Sequence, residues 1–115
     1  MDEFHELSAK LSEYLIVRKK QIMTGNLTVS GFDLPLLREA MSSIGTVMEQ
    51  NEEKRFLVTM VKPGTANRNT AYIVTQLVSG QQVRAVAYAK EGLISMRTSE
   101  KACAQMEEAF RRYSR

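Results

Sequence analysis

The side chains able to do covalent or metal chemistry are few in this chain, and their spacing limits what they can do. His5 is the only histidine and Cys103 the only cysteine among 115 residues. A Cys–His nucleophile pair would need these two ends of the sequence to meet, with a third group to orient the imidazole. A zinc-type site would need more His or Cys ligands than the chain contains. Glu52-Glu53 and Glu107-Glu108 are the paired carboxylates. Acid and base roles require two environments that push pKa values apart, and sequence neighbours on a polar stretch are ordinarily solvated charge. No Walker loop, G-x-G-x-x-G, G-x-S-x-G or H-E-x-x-H pattern occurs. The chain reads as non-enzymatic, with no metal and no cofactor expected.

Anion recognition is the remaining chemistry. Net charge is +3, with 16 Lys+Arg against 13 Asp+Glu, and the excess is unevenly placed. Between Lys54 and Arg97 stand seven bases (Lys54, Arg55, Lys62, Arg68, Arg84, Lys90, Arg97) against one acid, Glu91. Lys62, Arg68 and Arg97 are candidate anion-binding residues. The loop 62–70 combines Lys62, Gly64, Thr65, Asn67 and Arg68, a composition able to hold a phosphate through backbone amides and a guanidinium. A basic sheet region of this kind fits a nucleic acid as an alternative partner. The same cations also serve simply to blunt exposed sheet edges.

The elements that would position these residues follow from periodicity. Residues 3–23 form an amphipathic pattern, with Phe4, Leu7, Leu11, Leu15, Ile22 and Met23 at three- and four-residue steps and Thr24-Gly25-Asn26 as its stop. Leu27 to Phe32 alternates weakly and reads as a short strand or linker. Asp33 and Pro35 open a second helix, whose stripe of Leu34, Leu37, Met41, Ile44, Val47 and Met48 carries it to Gln50-Asn51. Gly45 inside that pattern would permit close packing of another element. Residues 55–61 are β-branched and alternating, a strand pattern. Residues 70–78 and 82–90 form a hairpin whose Gly80 suits the positive φ of a type II′ turn. A short third strand of the meander, Leu93 to Met96, precedes a C-terminal helix capped by Thr98-Ser99, with Cys103, Met106, Ala109, Phe110 and Tyr113 facing inward.

Two N-terminal helices, an antiparallel meander of three to four strands and a C-terminal helix make one two-layer α+β domain spanning 1–115. A single Cys excludes a disulfide scaffold, and the acidic start of the sequence is unlike a signal peptide, so a cytoplasmic setting without membrane contact is expected.

Pairing the hairpin outward from its turn sets Ile73 opposite Tyr88, Thr75 opposite Val86 and Leu77 opposite Arg84. That register gathers Ile73, Leu77, Val86 and Tyr88 into an apolar patch rimmed by Arg84 and Lys90. The other face carries Ala85, Ala87 and Ala89, small enough for a helix to approach closely. Either helices cover both faces or the rimmed patch is an interface. The expected function is a small protein-interaction module, a dimeric adaptor or chaperone-like protein, with a second copy of itself or another protein as partner. Small secretion chaperones and immunity-type proteins share this scale and general organisation, an analogy of fold alone.

Overall fold

The computed structural model describes residues 4–14, 22–62, 70–89 and 97–114. In chain order the elements are α1 (His5–Leu11), β1 (Met23–Thr28), α2 (Leu34–Ser42), β2 (Thr46–Asn51), β3 (Phe56–Val61), β4 (Ala71–Ser79), β5 (Gln82–Ala89) and α3 (Thr98–Tyr113). The architecture is α+β. Five strands form one antiparallel sheet in the order β1-β5-β4-β3-β2. The strands at its two edges, β1 and β2, are both additions to the expected meander.

β2 comes from a segment whose apolar spacing suggested helix, and β1 from the last residue of another such segment, its expected stop and the start of the weak strand or linker expected at Leu27 to Phe32. The first helical pattern is short in the structure: α1 spans seven residues, and Ser12 closes it with its hydroxyl on the Ser8 carbonyl. Leu15 and residues 16–21 lie outside the described residues. Met23 and the expected stop Thr24-Gly25-Asn26 are strand, because β5 offers them a backbone ladder, with Met23 opposite Ala87 and Gly25 opposite Ala85. The helix α2 begins as expected. The Asp33 carboxylate accepts the Leu36 N–H at 2.9 Å, and Pro35 sits in the first turn. It stops at Ser42, because the chain must turn at Gly45 to lay β2 beside β3. A Cβ on Gly45 would stand 2.2 Å from the Met60 carbonyl oxygen. The close approach expected of this glycine is therefore real, although the neighbour is a strand backbone and Val47 and Met48 lie in β2.

The β4–β5 hairpin forms where expected, with Gly80-Gln81 as its loop and Ser79 opposite Gln82. Its register then differs by one residue. The irregularity lies between Leu77 and Ser79, so Val78 is an extra residue and Leu77 faces Val83 instead of Arg84. Gly80 lacks the positive φ of a type II′ turn; among the described glycines only Gly31 has one. The loop is held from outside by the chain following β1: Val29 N–H donates to the Gln81 carbonyl at 2.9 Å and Phe32 N–H to the Gly80 carbonyl at 3.0 Å. A one-residue shift sends every later side chain to the opposite face.

The shift produces two cores. Ile73, Leu77, Val83, Ala85, Ala87 and Ala89 join Leu57 and Val61 beneath α2 and α3, where Leu37, Met41, Met106 and Phe110 are buried. Phe32 and Phe110 meet edge to face there, 5.4 Å between ring centres. On the other face Phe56, Val58, Val74, Val86 and Tyr88 pack under Leu7 and Leu11 of α1. Helices cover both faces, so the molecule has three layers where two were expected. The strand expected at Leu93 to Met96 lies outside the described residues. No helix among the described residues is long and apolar enough to cross a membrane.

Candidate interaction surface

The residues expected to form the rimmed patch are divided by the observed register. Ile73 (0% exposed) and Leu77 (3%) belong to the core under α2 and α3, while Val86 (0%) and Tyr88 (4%) lie on the opposite face under α1. Arg84 is half-buried opposite Gln76, on the α1 face. Lys90 lies outside the described residues. The continuous exposed apolar patch inferred from sequence is therefore absent, because each half of it is roofed by the chain's own helices. Of the anion candidates, Lys62 and Arg97 are exposed, Arg97 being paired with Glu100 at 3.2 Å, and Arg68 lies outside the described residues.

The helix α1 is fastened over its face by charge. The carboxylate of Glu49, on β2, accepts from Lys10 Nζ at 2.5 Å and from the Tyr14 hydroxyl at 2.7 Å. These two bonds, Lys10 first, hold the Glu49 carboxyl below the usual carboxylate range. Burial, reinforced by the neighbouring Glu49, pushes the Tyr14 hydroxyl up to about 12. Lys10 also lies 5.6 Å from the ring centre of Phe56, and Lys54 pairs with Glu6 at 2.6 Å. With every member bonded to another, this cluster is a fastening for α1.

Among the described residues a different surface lies open, at the β1 edge of the sheet. The helix α3 runs beside β1 in the same direction. Cys103, Met106 and Glu107 flank Met23 to Leu27, and Phe110, Arg111 and Ser114 flank Asn26 to Thr28. The eleven residue steps from 103 to 114 climb about 16 Å at helical rise, and the five from 23 to 28 about 17 Å at strand rise, so helix and strand stay abreast. Small residues under α3, Gly25, Ala85 and Ala87, leave a groove between them. One end has a volume of about 120 Å³ and is mixed, with Met23, Leu27 and Met106 beside Thr24, Asn26 and Glu107. The other widens to about 420 Å³ and is more polar, with Arg111 and Ser114. Met23 is 37% exposed here, and Met48 on the opposite edge strand is 48% exposed.

The strand itself is uncharged: Met-Thr-Gly-Asn-Leu-Thr. Val29 N–H bonds inward to Gln81, and antiparallel strands alternate, so Leu27 and Gly25 also face β5 while Thr24 and Thr28 aim their backbone groups away from it. No strand among the described residues pairs with that outer side. The opposite edge is guarded differently. There β2 carries an irregularity between Val47 and Glu49 together with the ion-paired Glu49 itself, both devices that discourage strand addition.

Cys103 is a free thiol in the groove wall. Burial, and secondarily the Glu107 carboxylate, pushes its pKa up to about 11, which keeps it protonated and unreactive at neutral pH. The groove thus presents apolar area and strand backbone. Sequence reading missed it because Gly25 interrupts the alternation of Met23, Leu27 and Val29, the one signal for a strand in this segment. No family model, curated protein or solved structure matches this chain.

Proposed function

We propose that the chain is a small protein-interaction module, adaptor-like or chaperone-like, that makes its contacts through the groove between β1 and α3. Its sheet is the working element, as the composition of the hairpin suggested, but the contact lies at the sheet's edge. The single observation carrying this reading is an uncharged, unguarded edge strand beside an apolar-floored groove, in a molecule whose other edge is guarded. The one cysteine, kept as a free thiol, suits a reducing setting such as the cytoplasm.

A benzophenone amino acid placed at Thr28, in cells of the native host, tests the reading. Irradiation should yield protein adducts from Thr28 and none from a control at Thr46 on the guarded edge. Equal labelling at both positions, or none at either, would exclude the groove as the contact surface.

A further inference from the structure

We propose that the sheet face beneath α1 is a receptor for an amphipathic helix of a partner protein, and that α1 is its resident occupant, a strap that such a helix displaces. This surface is separate from the groove at β1. On α1 and beside it, Phe4, Leu7, Leu11 and Tyr14 stand at three- and four-residue steps and so share one side. Beneath them lie Phe56, Val58, Val74, Val86 and Tyr88, each 0–5% exposed.

The strap is lightly built for so complete a cover. It has seven residues and no side-chain cap at its start, and a helix that short does not hold in water by itself. It is helical because it is docked. Side chains tie it down, Glu6 to Lys54, and Lys10 and Tyr14 to Glu49. The Glu6–Lys54 pair is exposed and of low worth. The larger core, under α2 and α3, lies on the other face of the sheet. Undocking α1 leaves that core closed, the condition for a segment to open while the rest stays folded.

Charge states what fits in its place. Glu6 and Lys10 lie one helical turn apart and meet opposite partners on the rim, Lys54 and Glu49. A helix laid in the reverse direction would bring cation to Lys54 and carboxylate to Glu49, and be repelled at both. The occupant is thus a helix in one direction, with leucines four residues apart and an acid before the first and a lysine before the second, the pattern Glu-Leu-x-x-Lys-Leu of residues 6–11. A partner helix longer than α1 brings more helical stability of its own, which offsets the advantage α1 has from being tethered.

A peptide of residues 4–14, stapled between the exposed positions His5 and Ala9 to hold it helical, tests this on the whole chain. In the chain alone, amide exchange at Ser8 and Ser12 should run roughly a hundredfold or more faster than at Val74 and Val86, since α1 opens alone. The peptide should bind the wild-type chain saturably at high micromolar concentration and remove the protection that Ser8 and Ser12 retain. The peptide with Glu6→Lys/Lys10→Glu should bind roughly tenfold more weakly, and should recover its binding on the chain variant Glu49→Lys/Lys54→Glu, whose rim is reversed to match. Exchange at Ser8 and Ser12 as slow as at Val74 and Val86, no binding by the stapled peptide, or binding indifferent to the charge reversals overturns the proposal. So does a chain that is dimeric by light scattering and becomes monomeric with Leu7→Asp, which would give the face to α1 of a second copy.

Discussion

Gly45 shows how one residue can decide an element. Nothing in its φ demands glycine; what matters is the backbone of β3, since a Cβ would stand 2.2 Å from the Met60 carbonyl oxygen and 3.1 Å from the Val61 side chain. Strand backbone in the middle of a sheet cannot step aside cheaply. Gly45→Ala should destabilise the fold by about 2 kcal/mol or more, in the range of overpacked cores, and thermal unfolding would show it as a clear drop in Tm. An unchanged Tm would mean that β2 can shift away from β3 at little expense. Cost of another kind is already present in the fold. The Thr59 and Thr75 hydroxyls are fully buried in the sheet with no hydrogen-bond partner, each a desolvation penalty of about 1–3 kcal/mol that the surrounding apolar packing must offset. Neither penalty is visible in the sequence, where threonine in a strand is simply a favourable residue.

At the scale of elements, what could be read from sequence depended on whether the deciding contact was local. Asp33 and Pro35 announce the start of α2, and Gly80-Gln81 the hairpin loop, because a cap and a turn are local matters. The end of α2 and the strand β1 depend on partners distant in sequence, Met60 and β5, and helical spacing of Val47, Met48 and Met23 concealed them. The hairpin's faces were lost to a single extra residue, Val78, which no local signal marks. The helix α1 carries a prediction at this scale. Only Leu7 and Leu11 are fully buried on it, so its attachment relies heavily on Glu49. The folded pKa of Glu49 is depressed, so its contribution is present in full above the unfolded value of about 4.3 and lost as pH falls through the lower folded value. The Tm difference between wild type and Glu49→Gln should be positive at neutral pH and close as the solution is acidified past that folded value. A difference constant across acid pH would show that the carboxylate charge does not fasten α1.

For the whole molecule, the near-neutral composition conceals an asymmetry different from the one the charges suggested. The sequence places a surplus of cations around the hairpin, yet the hairpin's apolar residues are consumed on both faces by α1, α2 and α3. What remains open among the described residues is an edge, made by a strand whose own sequence hardly declares it and by a helix whose Cys103 and Met106 read simply as core. Among the described residues, a sheet covered on both faces and guarded along β2 is left open along β1. Amide hydrogen exchange along β1 tests this most directly, because the strand carries its own control: Gly25 and Leu27 bond inward to β5, while Thr24 and Thr28 face outward. In the purified chain the Thr24 and Thr28 amides should exchange rapidly while those of Gly25 and Leu27 exchange slowly. Slow exchange at Thr24 and Thr28, equal to that at Gly25 and Leu27, would contradict an edge left open for a partner.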